Sequence, residues 1–400
     1  MTASSPLAWL EEHARKREAA GLRRRLRARG PAPGGSGSGA GIDTGTGPTP
    51  VDLAGNDYLG LARDPRVTAA AADAARIWGG GSTGSRLVTG HTTAHARLEK
   101  DLADFVGAQA ALVFSSGYLA NLGVITGLAG RGDLVVSEGL NHASLIDACR
   151  LSRARIAVVG HNTPDEIAEV LATRAEERAY VVTDAVFSVD GDVAPLARLA
   201  AVCRRYGAVL IVDEAHGVGV FGEGGRGAVH AAGLAGAPDV LATVTLSKSL
   251  GSQGGAVVGP QAVVDHLVDT ARPFIFDTGL APACVGAAAM ALEILREEPE
   301  LSERVRGNAR HLYEAATGYG LAASLPVGAV TSVRIGDPEL AVEMAGVCAQ
   351  HAVTVGCFRP PSVPDGTSRL RLTARADLTE QDLETARRAL RTVAEQLGMQ

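Results

Sequence analysis

Lys248 stands in VTLSKSLGSQGG (244–255), directly behind the apolar run DVLATVTL (239–246). The chain has three lysines, and the other two, Lys16 and Lys100, lie in charged helical patterns. A lysine among hydroxyls and glycines at the end of a buried strand needs a partner or a use. Asp213 lies 35 residues earlier, at the end of AVLIVD (208–213), and His216 follows it in DEAHG. An amine can hold an aldehyde, and a carboxylate can keep a pyridine nitrogen protonated so that the ring accepts electrons. The trio therefore suits pyridoxal 5′-phosphate. Burial lowers the proton affinity of such a lysine and fits it for amine exchange and proton transfer.

Other residues follow strand-like runs in the same way. His142 comes after DLVVS (133–137), Ser188 after AYVVTD (179–184), and Thr245 lies near the end of the run before Lys248. FSSGYLANLGVITGL reads as a strand end, a Ser-Ser-Gly-Tyr turn and a helix beginning near Gly117. Exposed N–H groups at a helix start favour a phosphate, and Thr245 and Ser247 could add hydroxyl donors. Each residue alone has a plainer reading. Asp213 could be a turn residue, His142 a solvated loop residue, Gly117 a helix start and Tyr118 a core residue. Their order on successive strand ends carries the chemical reading.

These positions need a scaffold. Between Val51 and residue 285, short β-rich runs alternate with helical patterns such as PLARLAAVCRRYG. Near-continuous apolar strands separated by helices predict an α/β fold with a mostly parallel sheet covered on both faces, and ligands bind such sheets beyond the strands' carboxyl ends. Residues 51–285 read as a large cofactor-binding domain and residues 286–400 as a smaller C-terminal α+β domain. The first 50 residues read as a helix over 5–29, with Ser5 as N-cap and Pro6 at its first turn, followed by a flexible Gly/Ser/Pro-rich tract over 31–50.

Composition excludes several classes. With 38 basic and 44 acidic residues the net charge is -6, which suits neither a nucleic-acid nor a membrane partner. Apolar runs break well short of the roughly 20 residues of a spanning helix, and the charged N-terminus shows no signal peptide. The five cysteines show no CxxC spacing, so no metal site is expected and a cytoplasmic location is. GVGVFG (217–222) matches a dinucleotide pattern, but DEAH separates it from its strand and EGGRG follows it. DEAH itself matches a helicase box, yet no GxxxxGK[ST] loop accompanies it.

The segments NDYLGLA (56–62), GSTGSRLVTGHTTAHARLE (81–99), SSGYLAN (115–121), HASLIDA (142–148), VFSVDGD (186–192), VDEAHGVGVFGEGGRG (212–227), TLSKSLGSQGG (245–255) and RPPSVPDGTSRLRLTA (359–374) together resemble the α-oxoamine synthases. The resemblance runs from about residue 51 to the C-terminus. It implies a fold-type I pyridoxal phosphate transferase, a homodimer with active sites at the subunit interface. It implies Lys248 as the cofactor-holding amine, Asp213 on the pyridine nitrogen and His142 on the ring. Ser188 and His216 would lie near the 3′-oxygen. Gly117, Tyr118 and Thr245 would surround the cofactor and its phosphate, with Thr278 reaching in from the other subunit. Arg371 of RLRLTA would bind the amino-acid carboxylate, which a guanidinium fork matches in two bonds. Asn56 would lie near the site, and Arg23 could be a second substrate contact. Arg369, two positions before Arg371, reads as facing outward. The pattern looks most like the family members that join L-alanine to a pimeloyl thioester of coenzyme A or an acyl carrier protein. Sister reactions of glycine or serine with other acyl-CoAs use the same catalytic set.

Overall fold

The computed structural model describes residues 5–24, 26, 28, 50–360, 362–363 and 365–399. Eleven strands occur among them: β1 (Val51–Leu53), β2 (Ala110–Phe114), β3 (Leu134–Glu138), β4 (Arg155–Val159), β5 (Ala179–Asp184), β6 (Val209–Asp213), β7 (Val240–Thr245), β8 (Gly255–Gly259), β9 (Val330–Gly336), β10 (Val353–Phe358) and β11 (Ser368–Thr373). Seven form one sheet in the order β2-β8-β7-β6-β5-β3-β4. All neighbours in it are parallel except β8, which runs antiparallel to β2 and β7.

The central strands are rich in Val, Ile and Leu because helices cover both faces, leaving no polar side to alternate with. β4 is an edge strand, and its Val158 is 71% exposed. The alternation of strand and helix in the sequence forecasts this sheet well, apart from β8. That run, GAVVG, is short and bounded by glycines. Gly255 must be glycine because a Cβ there would stand 2.4 Å from the Cα of Gly117, so the strand is built around its contact with a helix start.

The smaller sheet has the order β1-β10-β11-β9. β1, formed by the first residues after Pro50, pairs in parallel with β10, Val51 opposite Val353. No sequence pattern joins runs so far apart. One apolar cluster continues from Val244 and Val258 of the large sheet through Leu292 and Val305 to Leu370 and Leu372 of the small one. The two sheets thus share a core. Among the described residues no helix is long and apolar enough to cross a membrane.

The N-terminal helix is shorter than its pattern suggests, spanning Trp9–Ala19 with no buried residue. Ser5 accepts from the N–H of Leu7 at 3.2 Å and so caps a preceding turn. Gly21, at φ 63°, turns the chain out of helical geometry before the arginine run begins. The tract expected over 31–50 lies, except for Pro50, outside the described residues.

Candidate active site

The carboxyl ends of β5, β6 and β7 place Asp184, Asp213 and Thr245 side by side, since Asp184 registers against Asp213 and Asp213 against Thr243. Lys248 follows β7 by three residues, and its Nζ lies 2.8 Å from His216 Nε2. His216 Nδ1 is 2.5 Å from the hydroxyl of Tyr58. That hydroxyl donates to Asn56 Oδ1 (3.2 Å) and accepts from Arg371 Nη2 (3.3 Å), while the same Nη2 donates to Asn56 at 2.9 Å. A continuous polar chain therefore runs Lys248–His216–Tyr58–Arg371. It joins the large sheet to β11 of the small one.

Burial and neighbouring cations set the protonation of this chain. Desolvation, reinforced by the charges of Lys248 and Arg371, pushes His216 well below the ordinary histidine range, so its imidazole is neutral. With Tyr58 donating to Asn56, the neutral ring is satisfied if Nδ1–H donates to Tyr58 and Nε2 accepts from the lysine. Burial also raises the Tyr58 phenol to about 12, against the pull of Arg371.

Lys248 is lowered from 10.5 to about 8, chiefly by burial; the Asp213 carboxylate opposes the shift and Arg371 adds to it. Between pH 8 and 10.5 the unfolded chain thus binds a proton that the folded chain does not, and folding stability rises with pH across that window. In cofactor-free protein, Lys248→Met is expected to melt above wild type below pH 8. That advantage should shrink toward pH 10.5, and a pH-independent difference in Tm would refute the perturbed amine.

Asp213 is held on its other side. Asn121 Nδ2 donates to its Oδ2 at 2.7 Å and the N–H of Ala215 to its Oδ1 at 2.9 Å. Asn121 is itself fixed by Thr243, whose hydroxyl donates to Asn121 Oδ1 at 2.7 Å, and by Ser144 at 2.8 Å. His142 caps the helix Ala143–Ser152, with Nδ1 accepting from the N–H of Ser144 at 3.2 Å. Its backbone N–H donates to Asp184 Oδ2 at 2.7 Å. Burial lowers His142, so its ring is neutral. Burial and the adjacent Asp213 charge raise Asp184 well above the carboxylate range.

The helix Gly117–Leu128 begins beside β7, capped by Ser116, whose Oγ accepts from the N–H of Leu119 at 3.1 Å. A Cβ on Gly117 would stand 3.1 Å from Thr245 Oγ1, and Thr245 Oγ1 is 2.8 Å from Ser247 Oγ. This corner offers an N-terminal helix dipole and two hydroxyls, which fits a phosphate. With an amine at Lys248 and a carboxylate at Asp213, the donor set fits pyridoxal phosphate.

The remaining expected residues lie as follows. Tyr118 is 41% exposed and donates to Asp147. Ser188 is half-buried in the turn after β5. Thr278 is exposed, and its N–H donates to Asp277, which accepts from Ser115 next to the helix start. Arg23 is exposed and pairs with Glu18 at 2.8 Å. Arg371 is buried, lies over the Phe358 ring at 5.4 Å, and leaves its Nε without a partner.

Arg369 does not face outward. It is 4% exposed and pairs with both Asp190 and Asp365, because two positions before Arg371 it shares that buried residue's face of β11. Tyr58, Asn121 and Asp184 were not singled out from the sequence, although each lies inside or next to a quoted motif. Spacing from Asn56 could have flagged Tyr58. Only the sheet register brings Asp184 to Asp213.

The family model for aminotransferase class I and II matches residues 48–390. An 8-amino-7-oxononanoate synthase of Mycobacterium sp. (strain JLS) is 59% identical over 97% of each chain, and that of Mycolicibacterium smegmatis is 56% identical over 389 residues. Among solved structures, the serine palmitoyltransferase of Sphingomonas wittichii superposes with a TM-score of 0.90 at 32% identity, over 99% of each chain. The 8-amino-7-oxononanoate synthase of Francisella tularensis gives 0.75 at 25% identity, over 88% of this chain and 98% of that one. A further relative, at 32% identity and a TM-score of 0.90, holds pyridoxal phosphate. Identity at this level over nearly the whole length, together with a lysine, a carboxylate and a helix start arranged for that cofactor, shows that the chain belongs to the 8-amino-7-oxononanoate synthases.

Proposed function

We propose that this chain, a pyridoxal phosphate-dependent acyltransferase, joins L-alanine to a pimeloyl thioester. The products are 8-amino-7-oxononanoate, carbon dioxide and free thiol, a step of biotin biosynthesis. The observation that carries the reading is the polar chain from Lys248 to Arg371, because it sets an amine and a guanidinium fork at two ends of one buried network. In the overall change a carbon–carbon bond forms between the alanine α-carbon and the thioester carbonyl. The α-carbon–hydrogen bond, the bond to the alanine carboxylate and the thioester carbon–sulfur bond break. One proton returns to the α-carbon in place of the carboxylate, another goes to the departing thiolate, and the net proton comes from solvent.

Bound pyridoxal phosphate supplies an electron-accepting ring that spreads the negative charge of the α-carbon. Asp213, oriented by Asn121 and Ala215, would hold the ring nitrogen. His142 would lie on the ring, with Ser188 and His216 toward its 3′-oxygen. Gly117, Tyr118, Thr245 and Ser247 would hold the phosphate, joined by Thr278 from a second copy. Arg371, with an unpartnered Nε and an Nη2 braced by Asn56 and Tyr58, would take the substrate carboxylate in two bonds. Lys248, lowered to about 8, can both take and return a proton at Nζ near neutrality. His216 holds that amine in place without competing for a full charge. We place the reaction in the cytoplasm, in a homodimer whose contact face includes the exposed Leu87, Val88 and Phe276.

Thiol release by cofactor-loaded protein, with a matrix of acyl thioesters against L-alanine, glycine and serine, tests the substrates. Release confined to L-alanine with pimeloyl-CoA or pimeloyl-acyl carrier protein is expected, and the better of the two identifies the carrier. Release with serine and a long acyl-CoA would overturn the substrate assignment and keep the catalytic set.

A further inference from the structure

All five N–H groups of Arg369 are engaged. Nε donates to Asp190 Oδ1 at 2.8 Å and Nη2 to Asp190 Oδ2 at 3.0 Å, a two-pronged bond to the turn that carries Ser188. Nη1 and Nη2 donate to the two oxygens of Asp365 at 2.9 and 2.7 Å, and Nη1 also donates to the carbonyl of Thr367 at 2.6 Å. Asp365 and Thr367 belong to the connection between β10 and β11. That connection leaves directly from Phe358, whose ring lies under Arg371.

One guanidinium thus clasps two segments remote in sequence, the turn bearing Asp190 and the connection bearing Asp365. Other contacts press the same turn onto the small sheet: Ser332 donates to the carbonyl of Val189, and a Cβ on Gly191 would stand 2.6 Å from the carbonyl of Val330. From the outer side, His161 bridges Asp192 (2.7 Å) and Glu138 (2.6 Å). The guanidinium is buried but Asp190 and Asp365 keep part of their surface in water, and ion pairs with solvated partners add little stability. What they provide is a definite geometry.

We propose that Arg369 is a positioning residue that fixes the Ser188 turn relative to the Phe358–Arg371 side of the site. The proposal rests on the reading of Arg371 as the carboxylate-holding residue. The test uses cofactor-loaded, full-length protein and the variants Asp190→Asn, Asp365→Asn and Arg369→Lys, with amide hydrogen exchange and L-alanine kinetics as readouts.

In Asp365→Asn the amides of Phe187 and Gly191, bonded within the Ser188 turn at 2.9 and 3.0 Å, should exchange about tenfold faster, as expected of groups sharing one ion-pair network. In Asp190→Asn the amides of Gly366 and Thr367 should respond in the same way. Arg369→Lys should lower kcat/KM for L-alanine roughly 10- to 100-fold, the cost of a small misplacement in a preorganised site, with Tm within a few degrees of wild type. Faster exchange confined to the segment bearing the substitution would overturn the coupling. Cross-segment exchange with unchanged kcat/KM would overturn its role in the site. Arg371→Lys serves as the independent control: an unchanged KM for L-alanine there would remove the underlying site reading, while exchange would still report on the clasp.

Discussion

Lys248→Ala is expected to reduce thiol release from L-alanine and a pimeloyl thioester by at least about 10³-fold at saturating cofactor, since on the proposed function it would remove both a covalent anchor and a general base. No other lysine can substitute. Lys16 pairs with Glu12 at 2.7 Å and Lys100 with Asp104 at 2.5 Å, both on exposed helical surfaces. The neutral His216, left without its 2.8 Å partner, is too weakly basic to take over the proton transfer. The fold should survive, because the substitution removes a desolvated amine. Thermal unfolding separates the two effects. A variant that melts near wild type and retains more than about a tenth of the activity would place the amine outside the chemistry.

The second large effect belongs to Asp213→Asn, with an expected fall in kcat of about 10²- to 10³-fold. The change is nearly isosteric, but an amide cannot accept at both ends. Asn121 Nδ2 and the N–H of Ala215 donate to opposite oxygens of the carboxylate, so an asparagine must point its own N–H₂ at one of these donors. It would also be a poor partner for a protonated ring nitrogen. Because the Asp213 charge raises the proton affinity of Lys248, its loss should move the lysine below pH 8. The acid limb of the kcat profile should therefore shift to lower pH as the rate falls. A drop in rate with that limb in place would point to misfolding of the Asn121–Thr243–Ser144 support.

The sheet and most of its site could be read from residue patterns for a physical reason. β5, β6 and β7 are short apolar runs that end in polar residues, and in a parallel sheet those ends converge at one edge, so Asp213, Thr245 and Lys248 announce themselves together. Features that depend on pairing between remote segments left no such trace. Tyr58 joins His216 across 158 positions, and Arg369 meets Asp190 across 179. Arg369 stands two positions before Arg371 and so shares its face of β11, where the period of two already turns it inward; its acidic partners come from outside the strand and leave no trace in the local pattern. The N-terminal helix errs in the other direction. Its amphipathic pattern over 5–29 persists beyond the point where Gly21 breaks the backbone.

The pairing of β1 with β10 bears on how the molecule comes to exist. Val51 reaches its partner Val353 only after 302 further residues have been made. At about 5–20 residues per second that interval lasts some tens of seconds. Throughout it Val51 and Leu53 have no sheet to join, and the adjacent Asn56 and Tyr58 have no Arg371 to meet. The seven-stranded sheet, complete by Gly259, can close first, with Lys248 and Asp213 already at its edge. Biogenesis therefore has a natural order, in which the Lys248–Asp213 part of the polar network is in place before Arg371 joins it, and β1 is sewn to β10 last.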